Sequence, residues 1–262
     1  MLKPSCKGDA DMALIEIHGK KYDTDLVIFD KDGTLIDFSN TWISVIRELI
    51  RVIGNHTPMS DALNRRIEKA LGIFITDKKV DGFGPLAMGT ADQCDTLLTY
   101  CLYQEGLRWD LSMDIVEKIK GEILSGKARR KYIRPAKGVI ETLERLRSMG
   151  IRIGIATNDN AEDAMKDMET IGAAGMIDLC MGANSVERAK PAPDMINHIM
   201  ETFSIGPDRT IFVGDTIMDA LTGKNAGVML TIGIEGIIPI DTLSQYTDIT
   251  IASLDEIGRD EF

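Results

Sequence analysis

Histidine and cysteine, the side chains that most often carry nucleophilic or transition-metal chemistry, are scarce in this 262-residue chain, at three and four. Cys6, Cys94, Cys101 and Cys180 form no C-x-x-C pair, which favours reduced structural thiols over a metal or disulfide role. His18, His56 and His198 stand apart from one another and from any recognisable motif. No apolar run approaches the ~20 residues that span a bilayer. Residues 1–12 carry no apolar signal-peptide core, so a cytoplasmic location is expected and no membrane partner. Positive charge is also in deficit, 30 Lys and Arg against 41 Asp and Glu, for a formal net charge of −11. That excludes a nucleic-acid partner, since no basic surplus exists to neutralise a phosphate backbone. A small anion is a different matter, because a few convergent donors can bind one phosphate inside an acidic protein. With histidine and cysteine set aside, the search for chemistry moves to carboxylates.

What is present is ordinary for a globular chain: 44% hydrophobic and 27% charged residues, with no internal repeat or low-complexity segment. The length suits one large core plus a smaller inserted unit. Residues 13–22 pattern as two short strands around a Gly-containing turn, and Leu-Val-Ile-Phe at 26–29 reads as a buried strand. Helical patterns then dominate at 42–53, 61–71, 91–103 and 113–124, with Ser60 and Ser112 as N-caps. After Pro135, strands are expected at 151–156, 176–181, 210–213, 228–232 and 247–251. Helices are expected at 139–149, 161–171, 195–203 and 218–225. Alternation of this kind predicts an α/β fold, a mostly parallel Rossmann-like sheet with an inserted all-helical unit. In such sheets ligands bind beyond the carboxyl ends of the strands.

Three of the predicted strands end in polar clusters. Strand 26–29 runs into Asp30-Lys31-Asp32-Gly33-Thr34, strand 151–156 into Thr157-Asn158-Asp159, and strand 210–213 into Gly214-Asp215-Thr216, with Asp219 a helical turn later. Lys190 precedes a proline and a further helix. Singly, each is an unremarkable turn, helix start or surface loop. Together, in order and at one end of the sheet, they point to function. An extended chain places Asp30 and Asp32 on the same side. Two carboxylates repel an anionic phosphate by ~4 kcal/mol per charge pair at 4 Å and an effective dielectric of 20. Asp215 adds a third oxygen ligand, making a hard site that suits Mg²⁺. Lys190 supplies a fixed positive charge, and Thr157 with the backbone at Asn158 supplies donors near a helix N-terminus.

This set resembles the phosphatase branch of the haloacid dehalogenase superfamily, and within it phosphoglycolate phosphatase-like members. Asp30 to Leu35 meets the Asp-x-Asp-Gly-Thr-Leu pattern, and Thr157-Asn158 and Lys190-Pro191 meet the second and third. Gly214, Asp215 and Asp219, followed by Ala226-Gly227, meet the fourth. The resemblance implies a catalytic set of Asp30, Asp32, Thr157 and Lys190, with Asp30 attacking phosphorus to form an aspartyl-phosphate. Asp32 protonates the leaving alcohol and then deprotonates water. Gly33, Thr157, Asn158 and Lys190 bind the phosphate. The Asp30 side chain, the Asp32 carbonyl and Asp215 hold Mg²⁺, with Asp219 behind them. Asp32 separates this chain from dehalogenases, which have no alkoxide to protonate, and from the transport ATPases, which carry threonine there.

The same resemblance divides the chain into a core of residues 1–37 and 132–262 and a helical cap of 38–131, joined by hinges at 36–40 and 128–135. The cap is expected to select the leaving group. The Gly-Pro-rich loop at 82–89 is either part of that selection or a connector. Arg129 and Arg130 either reach an anionic substrate or form a solvated charge run. Lys31, alternating to the other side of the strand, is expected at the surface or against a helix. The implied function is Mg²⁺-dependent hydrolysis of a small phosphorylated metabolite such as phosphoglycolate or a sugar phosphate. A β-phosphoglucomutase-like phosphomutase is the alternative, and a non-catalytic binding protein a more distant one.

Overall fold

The computed structural model describes residues 14–58, 60–124 and 130–258. Among the described residues a hairpin of β1 (Leu14–Ile17) and β2 (Lys20–Asp23) comes first, with Ile17 paired to Lys20 across the His18-Gly19 turn. Both turn residues have positive φ, 51° and 71°, the conformation a two-residue hairpin turn requires. Next comes β3 (Leu26–Phe29), buried at all four positions as its unbroken apolar run demands.

The inserted unit follows. Helix α1 (Phe38–Ile53) is capped by Asp37, whose carboxylate accepts from Asn40 N, and α2 (Asp61–Leu71) is capped by Ser60 as expected. Between α2 and the next helix lies a hairpin of β4 (Ile73–Phe74) and β5 (Lys79–Val80), which strand-length patterning does not reveal. Then come the short α3 (Pro85–Met88), α4 (Ala91–Gln104) and α5 (Trp109–Ile119), the last widening into a π-helical turn, Lys120–Leu124. Ser112 is not an N-cap. Helix α5 starts a turn earlier, after Arg108, with Asp110 in its first turn where the helix dipole favours a carboxylate. The Ser112 hydroxyl instead donates back to the Arg108 carbonyl from inside the helix, at 3.0 Å.

The remainder alternates: α6 (Val139–Ser148), β6 (Arg152–Ala156), α7 (Ala161–Thr170), β7 (Leu179–Met181), α8 (Asp194–Phe203), β8 (Thr210–Gly214), α9 (Ile217–Ala226), β9 (Leu230–Ile234), α10 (Ile240–Leu243) and β10 (Ile249–Ile251). Six strands form one parallel sheet in the order β10-β9-β8-β3-β6-β7. Successive side chains of β3 face opposite layers. Val27 and Phe29 join a core with Ile153, Ile155, Ile211 and Leu143. Leu26 and Ile28 join another with Phe212, Met195, Ile196 and Ile199. The insert has its own apolar core, built on α1, α2, α4 and α5 around Leu49, Leu63, Ile67 and Leu102.

Register decides where the chemistry collects. Phe29 pairs with Ile155 on one side and with Val213 on the other, so the three strands end level. Asp30, Thr157 and Asp215 therefore emerge together along one edge. The two segments linking sheet to insert also run side by side. Ile36 bridges Pro135, Asp37 N donates to the Arg134 carbonyl at 2.9 Å, and Ala136 N to the Leu35 carbonyl at 3.0 Å. Of the hinge 128–135, Ala128 and Arg129 lie outside the described residues, so Arg129 is given no place in the site.

Candidate active site

Asp30 leaves the end of β3 with its backbone N–H donating to the Val213 carbonyl at 2.8 Å, which locks it to the neighbouring strand. Its carboxylate is buried and accepts from Lys190 Nζ at 2.6 Å. The same ammonium donates to Asp219 Oδ1, also at 2.6 Å. Asp219 is already engaged at its other oxygen, where Thr216 donates from its backbone N–H and its hydroxyl in a reciprocal cap of α9. Asp219 therefore spends both oxygens holding Lys190 and the helix start.

Asp215 is different. It is fully buried, yet neither carboxylate oxygen has a hydrogen-bond partner among the described residues. A buried carboxylate with two orphaned oxygens is costly unless something cationic meets it. Oxygens of Asp30, Asp215 and Asp219 lie within 4.8 Å of one another. An all-oxygen acidic cluster of this kind fits a hard divalent cation such as Mg²⁺. Gly33 makes that packing possible. Its φ is +96°, and a Cβ there would stand 2.1 Å from Asp215 Oδ2. Gly33 thus presses its backbone against Asp215 rather than lining the cavity beyond.

The electrostatics follow from three carboxylates around one ammonium. Burial pushes the Asp30 carboxyl up to about 7, with Lys190 pulling it down and Asp219 and Asp32 pushing further up. Asp215 is held well above the ordinary carboxyl range by burial, and then by Asp219 and Asp30. Burial works against the Lys190 charge, but Asp219 and Asp30 together outweigh it and hold the ammonium above its usual value. Burial is the first cause for both carboxyls and their crowding the second, and a divalent cation would offset both.

Asp32 faces the same cavity from the turn after β3. The Trp42 indole N–H donates to Asp32 Oδ1 at 3.1 Å, reaching from the first turns of α1 in the insert. Its Oδ2 is ion-paired with Lys31 Nζ at 2.8 Å. Lys31 is not at the surface. Its side chain is 0% exposed, and its ammonium also meets Asp159 at 2.9 Å and Asp167 on α7 at 2.7 Å. It does lie against a helix, but as the centre of a buried ion cluster rather than as packing. The chain turns after Phe29, which brings Lys31 and Asp32 to one cluster despite their alternation.

Thr157 and Asn158 line the cavity from the end of β6. Thr157 Oγ1 accepts from Asp159 N at 3.1 Å, and Asn158 Oδ1 accepts from Lys190 N at 3.2 Å, tying the second motif to the third. Helix α7 begins only at Ala161, so these two residues stand in the loop ahead of it. Asn158 Nδ2 also donates to the Met88 carbonyl of the insert at 3.4 Å. The loop 82–89 is accordingly part of the site wall. Gly82 packs so closely on the 237–238 segment that a Cβ would lie 2.6 Å from Ile238 Cδ1. Arg130 and all three histidines lie away from the cavity lining. Cys94 lines it, but burial and the nearby Asp95 push its thiol up to about 12, which leaves it inert as a nucleophile.

Comparison with known proteins gives the family and the fold. Residues 24–227 match the family model of the haloacid dehalogenase-like hydrolases. The chain belongs to that family. A phosphoglycolate phosphatase of Aquifex aeolicus is 23% identical over 87% of this chain and 92% of its own length. The pyrophosphatase PpaX of Halalkalibacterium halodurans is 36% identical, but over only 37% of this chain and 46% of that relative, less than half its length. The crystal structure of a predicted phosphoglycolate phosphatase from Haemophilus somnus 129PT superposes with a TM-score of 0.66 at 20% identity, covering 89% of this chain and 96% of that one, a likeness of fold. Trp42 and Lys31, which both contact Asp32, are the candidate-site residues that the motifs alone do not flag. Trp42 opens the first predicted helix of the insert, a signal that distinguishes it only once the insert is known to face the sheet. Among the described residues, no helix is long and apolar enough to cross a membrane.

Proposed function

We propose that this member of the family is a Mg²⁺-dependent phosphatase that releases an alcohol from a small phosphate monoester. The observation that carries the reading is the buried Asp30–Lys190 pair opening onto the same cavity as Asp32. A carboxylate nucleophile needs its charge balanced before a phosphate dianion can approach, and Lys190 at 2.6 Å supplies that balance.

Asp30 attacks phosphorus, and the bond to the ester oxygen breaks with its electron pair leaving on that oxygen. Asp32 gives the oxygen its proton, so the alcohol departs neutral. In the second half, Asp32 takes a proton from water as the water attacks the aspartyl-phosphate. The bond between phosphorus and Asp30 then breaks, returning the carboxylate and inorganic phosphate. Lys190, the Thr157 hydroxyl and the backbone at Asn158 hold the phosphoryl oxygens in line. Trp42 and Lys31 hold the Asp32 carboxylate toward the cavity. Asp30, the Asp32 carbonyl and Asp215 would hold Mg²⁺, with Asp219 orienting Lys190 from behind. When bound, the cation neutralises the excess acidic charge and stabilises charge on the transferring group. A phosphomutase would also have to hold a second phosphate. Among the described residues, the cavity offers no cation beyond Lys190 for it.

The test is release of inorganic phosphate from a panel of monoesters with Mg²⁺ present. The Asp30→Asn variant is expected to lose on the order of 10³-fold or more in kcat while keeping its fold by circular dichroism. Full activity in that variant would remove Asp30 as nucleophile. Isomerisation of a hexose phosphate without phosphate release would replace hydrolysis by mutase chemistry.

A further inference from the structure

The cavity over Asp30 and Asp32 extends from the sheet edge into the insert. Its character changes sharply along its length. The floor is the polar set of the sheet edge. The walls from the insert are apolar: Phe38, Trp42, Ile46 and Leu49 of α1, Leu86 of α3 and Leu98 of α4.

The few polar groups on those walls are already engaged. Asp95 is paired with Lys120 at 2.6 Å, the Thr90 hydroxyl accepts from Gln93 N to cap α4, and the Cys94 thiol donates to the Pro85 carbonyl. Among the described residues, Lys190 is the one cation lining the cavity, and Asp30 and Asp219 hold it at the floor. A leaving group carrying a carboxylate or a second phosphate would find no opposite charge beyond Lys190 among the described lining residues. A sugar would bring several hydroxyls to a wall with few donors or acceptors to receive them. Burying such groups without partners is unfavourable, whereas an apolar group loses nothing by entering.

We infer that the substrate is a phosphate monoester of an apolar, uncharged alcohol, alkyl or aryl, whose hydrocarbon part fills the chamber formed by α1, α3 and α4 while its phosphate sits on Asp30 and Lys190. This rests on the phosphatase reading and departs from the phosphoglycolate and sugar phosphates that the family resemblance suggests. The insert acts as the selector: it rewards methylene groups and rejects charge.

An n-alkyl phosphate series from ethyl to hexyl tests this on the unaltered protein, because the leaving oxygen has nearly constant acidity along it. With Mg²⁺ present, kcat/KM should rise on the order of fourfold per added methylene until the chamber is full. Hexyl phosphate should exceed phosphoglycolate by on the order of 100-fold. Leu86→Lys, which puts an ammonium on a half-buried wall position, should lower the hexyl phosphate rate and raise that of phosphoglycolate. A flat or falling alkyl series, with phosphoglycolate or a hexose phosphate hydrolysed faster, overturns the apolar assignment and leaves the phosphatase reading standing. If no ester releases phosphate, both fall. The wild-type series decides the matter even if Leu86→Lys fails to fold.

Discussion

Replacing Lys31 with methionine keeps most of the side-chain volume and removes one positive charge from a site with no exposure to solvent. Three carboxylates meet that ammonium: Asp32 at 2.8 Å, Asp159 at 2.9 Å and Asp167 at 2.7 Å. Their side chains are 17%, 14% and 5% exposed, so water can rehydrate the first two in part but hardly reaches Asp167. Removing one partner of a buried pair costs about 3–5 kcal/mol, and partial rehydration argues for the lower end, about 3 kcal/mol. For a chain of this size that is a fall of about 6–12 °C in the thermal midpoint. Urea unfolding monitored by circular dichroism reads the same quantity. A second substitution sharpens the test. Lys31→Met combined with Asp167→Asn removes the stranded charge as well, and should recover at least about 1 kcal/mol of the loss. Activity supplies an independent readout, because Lys31 also grips the proposed general acid. In Lys31→Met, the ratio of kcat for alkyl phosphates, whose alcohol needs a proton to leave, to kcat for p-nitrophenyl phosphate, whose phenolate does not, should change. A single variant as stable as wild type within about 0.5 kcal/mol, with an unchanged ratio of the two rates, would refute the ion-cluster account.

The raised carboxyl pKa values make stability depend on pH in a definite direction. Asp215 and Asp30 bind protons more tightly folded than unfolded, so their contribution is present below the ordinary value of 3.8 and is lost as pH rises. For Asp30 the loss runs to about pH 7. Calorimetry in a chelator should therefore show the melting temperature falling across that window, and Mg²⁺ at 100 times its dissociation constant should add about 2.7 kcal/mol at neutral pH. A Mg²⁺ effect that is absent at neutral pH would count against the Asp215 site. Gly33→Ala should cost at least about 1–3 kcal/mol through its positive φ, and should abolish the Mg²⁺-induced melting shift because the new methyl enters the space of the Asp215 carboxylate. Trp42→Phe keeps an aromatic wall but removes the donor to Asp32, and steady-state assays should show kcat lower by about fivefold, the value of one hydrogen bond.

Much of the fold was legible because local rules and tertiary demands coincide. Leu26 to Phe29 can only be a doubly covered strand, Ser60 caps where its spacing to Leu63 says it should, and the polar clusters after Phe29, Ala156 and Gly214 fall at level strand ends. The misses have a common origin in contacts that sequence spacing does not encode. Ser112 looks like a cap, yet a tryptophan, an aspartate and a leucine ahead of it start the helix a turn sooner. Lys31 reads as a lysine on an alternating strand, placed at the surface or against a helix. Its partners Asp159 and Asp167 lie 128 and 136 residues away, and only the sheet brings them near. Asp32 was legible by motif, but its hold by Trp42 depends on the insert folding back over the strand ends, which no local pattern states.

The paired linkers at Ile36 and Pro135 have a consequence for how the molecule can vary. The insert leaves and re-enters the sheet layer through one doorway, its two ends a hydrogen bond apart. To the core, the whole insert is a single long loop whose ends are already closed. The entropy of closing a loop grows only with the logarithm of its length, so doubling or halving the insert changes core stability by only about 0.6 kcal/mol from that source. Strand register, and with it the spacing of Asp30, Thr157 and Asp215, is indifferent to what hangs from the doorway. One sheet edge can thus carry interchangeable lids, and the selected alcohol can change without moving the proposed nucleophile.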